Sequence, residues 1–190
     1  MKIYFGIRPS LLLRKKIARI LAPSLRASSL SLRMQEIRHM HITTHFIGEV
    51  TEKSLTEIVR QFNQISLPHT EEIMLGGDPP TGTFGADVLY LHVTDTNGIL
   101  HALKKEGQRL APVRETYDSY TPHLTLARNP HGREMGPLLH ALGAHPFTIP
   151  YTPSEVLLIH SHERKGKKYH DIIARRRLFR GKKPLERGVH

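Results

Sequence analysis

The strongest constraint on this chain is a short pattern that it carries twice. His41-Ile42-Thr43-Thr44 lies in the run HMHITTHFIGEV, and His123-Leu124-Thr125-Leu126 lies in the run YTPHLTLAR. The β-branched content around the first copy (Ile42, Thr43, Thr44, Ile47) favours a strand over a helix. In a strand, side chains alternate between faces. His41 and Thr43 then share one face, as do His123 and Thr125, while Ile42 and Leu124 turn toward a core. Each strand presents an imidazole beside a hydroxyl, and two such strands facing each other make a symmetric cleft.

The rest of the sequence frames this pair. Residues 2–8 alternate as a strand, with Ile3, Phe5 and Ile7 against Tyr4 and Gly6. Ser10 caps a basic amphipathic helix that Pro23 ends; Leu13, Ile17, Ile20 and Leu21 form its apolar face, and Arg14, Lys15, Lys16 and Arg19 its charged one. Residues 27–38 read as a loop and residues 39–47 as the first motif strand, closed by Gly48. A helix capped by Thr51 or Ser54 follows, with Leu55, Ile58, Val59, Phe62 and Ile65 as its stripe and Ser54-x-x-Glu57 as a capping box. A strand at 71–75, a turn-rich loop at 76–82, a strand at 87–93 and a helix within 94–112 capped by Asp95 or Thr96 lead to the second motif strand at 120–128. A helix marked by Met135, Leu138, Leu139 and Leu142 comes next. Strands at 147–151, 155–162 and 169–178 complete the pattern, the last two joined by a hairpin at 164–167. Both motif strands are followed by a helix. The order suggests a duplicated α+β unit whose halves face each other: one bilobal domain over residues 1–179, with a basic, frayed tail over 180–190.

Two imidazoles and two hydroxyls in one cleft suit in-line displacement at a phosphodiester. Imidazole titrates near 6.5, so one ring can take a proton from water while the other gives one to the leaving oxygen. Threonine hydroxyls can donate to the non-bridging oxygens. The symmetry of the motifs leaves open which histidine is the acid. A metal site on His39, His41 and His45, which alternation puts on one face, is the nearest rival. His41 and His45 would lie about 13 Å apart in a strand, too far to share one ion, so no metal and no cofactor is expected.

Composition narrows the chemistry further. With no cysteine, disulfides, thiolate metal sites and cysteine nucleophiles are excluded, which suits a reducing cytoplasm. No apolar run is long enough to span a bilayer, the first residues lack a signal-peptide layout, and no membrane partner is expected. A net charge of +11 favours a polyanionic partner such as RNA. A non-catalytic RNA-binding protein on the same scaffold is the alternative to an enzyme, and a monomer is the default state.

These motifs resemble those of the 2H phosphoesterases, a superfamily defined by two His-x-Thr/Ser-x motifs, and within it the RNA 2′,3′-cyclic phosphodiesterases (2′-5′ RNA ligases). The likeness runs over about residues 2–178; Thr44 replaces a usual leucine, and His45 a basic or variable residue. The resemblance implies a bilobal α+β fold with two antiparallel sheets around a central cleft, helices outside. It implies hydrolysis of RNA 2′,3′-cyclic phosphate ends, for example on transfer RNA fragments, to 2′-phosphomonoesters, with 2′-5′ ligation as an accompanying activity. It makes His41 the proton donor, His123 the acceptor, and Thr43 and Thr125 the phosphate holders. Arg128 becomes a candidate substrate contact, although alternation turns it away from His123 unless a bulge intervenes.

Overall fold

The structure, a computed structural model, describes residues 1–110, 120–164 and 167–180. Apolar alternation produces the strands β1 (Lys2–Ile7), β3 (Ile42–Glu49), β6 (Val88–Thr94), β7 (His123–Arg128), β9 (Glu155–Arg164) and β10 (Lys167–Arg177). Shorter strands are β2 (Arg33–Met34), β4 (Ile73–Gly77), β5 (Thr81–Phe84) and β8 (Phe147–Tyr151). Among the described residues the helices α1 (Leu11–Ala27), α2 (Glu52–Gln64), α3 (Ile99–Leu110) and α4 (Gly136–Gly143) accompany them.

The fold class is α+β, but among the described residues the expected pair of sheets is a single antiparallel sheet of ten strands. Eight run in the order β10-β9-β1-β3-β7-β6-β4-β8, with β2 added on β7 and β5 on β6. The order interleaves the chain, with β9 and β10 beside β1 and β3 on one side and β4 and β6 between β7 and β8 on the other. These two groups of four strands join side by side rather than face to face because the motif strands β3 and β7 pair directly, through Ile42 and Leu124. Both residues are fully buried and belong to the main core with Ile3, Phe5, Ile7 and Phe62.

Several local expectations change for identifiable reasons. Pro23 lies inside α1, and the helix continues to Ala27 because Leu25, beyond the proline, still packs on the core. Ser10 caps this helix as expected, its hydroxyl accepting from the Leu13 amide at 3.2 Å. Arg14 belongs to the buried side, 7% exposed, while Ile20 is exposed. The Arg14 guanidinium donates to the carbonyls of Pro9 (2.8 Å) and Ile37, tying the helix to a 3-10 turn at Ile37–His39. The expected loop at 27–38 contains that turn's start and β2. Thr51 caps α2 by accepting from the Ser54 amide; Glu57 engages Arg60 and Gln61 instead of closing a capping box. The expected loop at 76–82 runs into β5. Asp95 caps α3, accepting from the amides of Leu100 and His101. Arg180, placed in the tail by the sequence, pairs with Thr70. The expected end of the third helix at Pro112, the hairpin tip at 165–166 and the tail at 181–190 lie outside the described residues.

Gly6 positions β3. A Cβ on it would lie 2.5 Å from the Ile42 carbonyl oxygen, so the two central strands meet as they do only because residue 6 lacks a side chain. Gly6→Ala should cost about 1–3 kcal/mol, the usual range for overpacking, and displace His41 and Thr43. Urea unfolding measures the loss; a variant as stable as the parent contradicts this view of the β1–β3 contact.

Candidate active site

The register of one strand pair assembles the motifs. Ile42 and Leu124 are partners in an antiparallel pair and both point into the core. One residue to either side, antiparallel geometry sets His41 across from Thr125 and Thr43 across from His123. All four side chains therefore emerge on the other face. Each histidine neighbours the threonine of the other motif as well as its own. They line one cavity of about 280 Å³, together with Lys2, Tyr4, Gln35, Phe46, Arg128, Ser161, Lys168 and His170.

Two bulges decide what else reaches this face. On β7, Tyr90 pairs with Thr125 and Leu89 with Ala127, so Leu126 is the extra residue. Leu126 and Ala127 both turn inward, and Arg128 reaches the cavity beside Thr125. The bulge that the strand reading required for Arg128 is thus present. The Leu126 carbonyl accepts from the Gln35 amide at 2.8 Å. On β3, Phe5 pairs with His45 and Gly6 with Thr43, which makes Thr44 the extra residue. His45 consequently turns into the interior, against Gly107 of α3, and not toward His41 as expected. His39 sits in the 3-10 turn ahead of the strand, so the three histidines do not share a strand face. Phe46, 49% exposed, takes the cavity position instead. Phe46 and Arg128 hold equivalent places, each five residues after its motif histidine.

The two imidazoles are held alike. The carbonyl of His39 can only accept, so His41 donates to it from Nδ1–H at 2.7 Å; His123 does the same to the Thr121 carbonyl at 2.9 Å. Among the described residues Nε2 is therefore the nitrogen left without a hydrogen bond in both rings, a lone pair when neutral and a donor when protonated. Burial pushes the His41 imidazole down to about 3, opposed by the His39 hydrogen bond and assisted by positive charge on His170, Arg8 and His123. Burial also lowers His123, opposed by its bond to Thr121 and assisted by Arg128. Tyr4 stacks on the His41 ring at 4.7 Å between centroids, and His170 tilts against it at 4.9 Å. Tyr120 donates to the Thr43 carbonyl at 3.0 Å, fastening the approach to β7 onto β3.

The rim is basic. Arg33 and Arg128 are direct cross-strand partners, an arrangement that costs energy without an anion between or above them. Burial lowers the Lys168 ammonium, and its neighbours Arg128, Lys2 and Arg33 add to the effect. Sequence reasoning named five of the cavity residues and missed the others. Lys2 and Tyr4 on β1, and Lys168 and His170 on β10, sit at period-2 positions and were legible in principle; Phe46 was not, because its placement depends on the bulge.

An antiparallel sheet that joins two His-x-Thr strands over one basic cavity defines a class of α+β protein. The chain belongs to the 2′-5′ RNA ligase superfamily, whose family model matches residues 18–165. Solved structures are similar in fold at low identity. E. coli LigT complexed with phosphate is 19% identical, with a TM-score of 0.72, covering 94% of this chain and 98% of LigT. The complex of LigT with 3′-AMP gives 18% and 0.70, covering 93% and 97%. TT0787 of Thermus thermophilus gives 15% and 0.66, covering 95% and 99%. No curated protein matches the sequence. Among the described residues no helix is long and apolar enough to cross a membrane.

The lowered imidazoles make stability depend on pH in a definite sense. From pH 6.5 down to about 3 the unfolded chain binds a proton that folded His41 refuses, so acidification through that window removes stability. His123 and His170 shift in the same direction. The Tm of the protein should fall more steeply between about pH 7 and pH 4 than that of His41→Asn. Sulfate, whose charge is constant over this range, should stabilise increasingly as pH falls, because a bound anion lets an imidazole charge. Parallel pH curves, or sulfate stabilisation that grows with rising pH, contradict the assignment.

Proposed function

We propose that this protein hydrolyses terminal 2′,3′-cyclic phosphates of RNA to 2′-phosphomonoesters, using two histidines and no metal. The observation that carries the proposal is the β3–β7 register, which sets two free Nε2 atoms and two threonine hydroxyls on one face of the sheet. Water attacks phosphorus while Nε2 of His123 takes its proton. The bond from phosphorus to the 3′ oxygen breaks, and His41 gives that oxygen a proton from Nε2. Thr43 and Thr125 donate to the non-bridging oxygens, and Arg128 supplies positive charge. A sugar 5′-hydroxyl in place of water would make a 2′-5′ bond by the same steps, with the bond from phosphorus to the 3′ oxygen again the one that breaks.

The environments of the rings favour this division of roles. His41 is lowered more strongly than His123. A lowered pKa makes an imidazolium a stronger acid, which suits the donor to a leaving alkoxide. The substrate phosphate provides the counter-charge that lets His41 hold its proton. The basic rim and the exposed Phe46 ring suit a nucleotide, and E. coli LigT, similar in fold, has been solved complexed with phosphate and with 3′-AMP.

Incubation of the protein with a nucleoside 2′,3′-cyclic phosphate in excess chelator tests the proposal. The expected product is the 2′-monophosphate. His41→Ala and His123→Ala should each lower kcat/KM by about 10²–10⁴-fold, the usual worth of one proton transfer. Because the active free enzyme carries one proton between two lowered imidazoles, kcat/KM should peak below about pH 6.5 and fall above it. Undiminished turnover in a folded double variant rules the mechanism out, and a 3′-phosphate product rules out the regiochemistry. Salt-sensitive RNA binding without turnover would favour the non-catalytic alternative.

A further inference from the structure

The cavity contains a third imidazole that neither motif supplies. His170 lies on β10, with β9 and β1 between it and β3 in the sheet order. Its ring meets His41 at 4.9 Å and lies edge-on to Tyr4 at 5.9 Å and to His39 at 5.5 Å. Its carbonyl accepts from the Arg8 guanidinium at 3.1 Å, which fixes this point of the strand. Its Nδ1 lies 2.7 Å from the Tyr4 hydroxyl.

That contact sets the tautomer. Tyr4 is buried, and burial holds its phenol protonated well above the usual tyrosine range. A buried hydroxyl must place its hydrogen on an acceptor, and among the described residues the partner of this one is His170 Nδ1. Tyr4 therefore donates, Nδ1 is the acceptor, and the ring proton of neutral His170 is on Nε2. Burial, with help from His39, Arg8 and Lys168 and against Asp171, pushes His170 down to about 4, so the neutral ring prevails near neutral pH. Neutral His41 and His123 have the opposite tautomer, with Nδ1 carrying the proton and Nε2 bare.

We infer that His170 is a third substrate-contacting imidazole of this site, fixed by Tyr4 so that Nε2–H donates a hydrogen bond to a phosphate oxygen. The inference rests on the reading of the cleft as a phosphoester site. It assigns complementary work to the three rings. His41 and His123 exchange protons, while His170 in its neutral form offers a donor whatever the charge on the other two. With Nε2 occupied by hydrogen, it cannot compete with His123 as a base. Tyr4 is a positioning residue: it stacks on His41 with its ring and orients His170 with its hydroxyl.

Long-range proton–nitrogen NMR of the histidine side chains of the full chain, at neutral pH and with inorganic phosphate as the probe, tests this directly. His170 should show the Nε2–H tautomer, and His41 and His123 the Nδ1–H tautomer. Phosphate should shift His170 Nε2–H, and Tyr4→Phe should leave His170 a mixture of tautomers. His170→Ala should lower kcat/KM for a nucleoside 2′,3′-cyclic phosphate about tenfold, the usual effect of one lost hydrogen bond. His170→Gln, which retains an amide donor, should recover part of that loss; a purely structural role predicts no such recovery. An Nδ1–H tautomer at His170, or phosphate shifts at His41 and His123 with none at His170, overturns the inference and leaves the cleft reading intact. Phosphate shifts at none of the three rings overturn both.

Discussion

Everything proposed for this molecule depends on the short contact between β3 and β7. It is a single register point, Ile42 with Leu124, buried from one side by the core. A slip of either strand by one residue would turn its histidine inward and its aliphatic residue outward, so that the two motifs no longer shared a face. The surrounding structure prevents such a slip. Gly6 lets β1 press against the Ile42 carbonyl, and Tyr120 holds the Thr43 carbonyl from the other half. Gln35 binds the bulge at Leu126. The two halves of the sheet thus meet at the motif strands, and the continuous sheet is what makes one cleft from two motifs.

Much of this was legible because alternation is local. The faces of His41, Thr43, His123 and Thr125 follow from a period of two, and so does the burial of Ile42 and Leu124. Bulges are not local in that sense. One extra residue at Thr44 moves His45 into the interior and brings Phe46 out; another at Leu126 delivers Arg128. Each bulge reflects pairing with a distant strand, which the sequence of the motif strand does not encode by itself. The same holds for the single sheet. A repeated order of elements is visible in the sequence, but the way strands of both halves interleave in one sheet, and the joining of its two sides through β3 and β7, depend on pairings between distant segments. Pro23 and Arg14 show a further limit: local rules for helices were overridden by packing of Leu25 and by carbonyls that accept the buried guanidinium.

The electrostatics of the cleft have one theme. His41, His123 and His170 are all less basic than in water, because burial and surrounding positive charge both oppose their protonation. The rim adds Lys2, Arg128 and Lys168, with Arg33 the cross-strand partner of Arg128. Such a site is poorly satisfied when empty and well matched to an anion. Binding of a phosphate then does two things at once: it relieves the repulsion among cations and it gives an imidazole a reason to hold a proton. In the proposed reaction the substrate would in this way complete the acid that acts on it.

A crystal structure of the protein with a nucleoside vanadate, a mimic of the five-coordinate transition state, tests the central claim most directly. Vanadium is expected between Nε2 of His41 and Nε2 of His123, one nitrogen at each apical oxygen, with the Thr43 and Thr125 hydroxyls on equatorial oxygens. Vanadate bound at the rim alone, or with both imidazoles against the same oxygen, would contradict it.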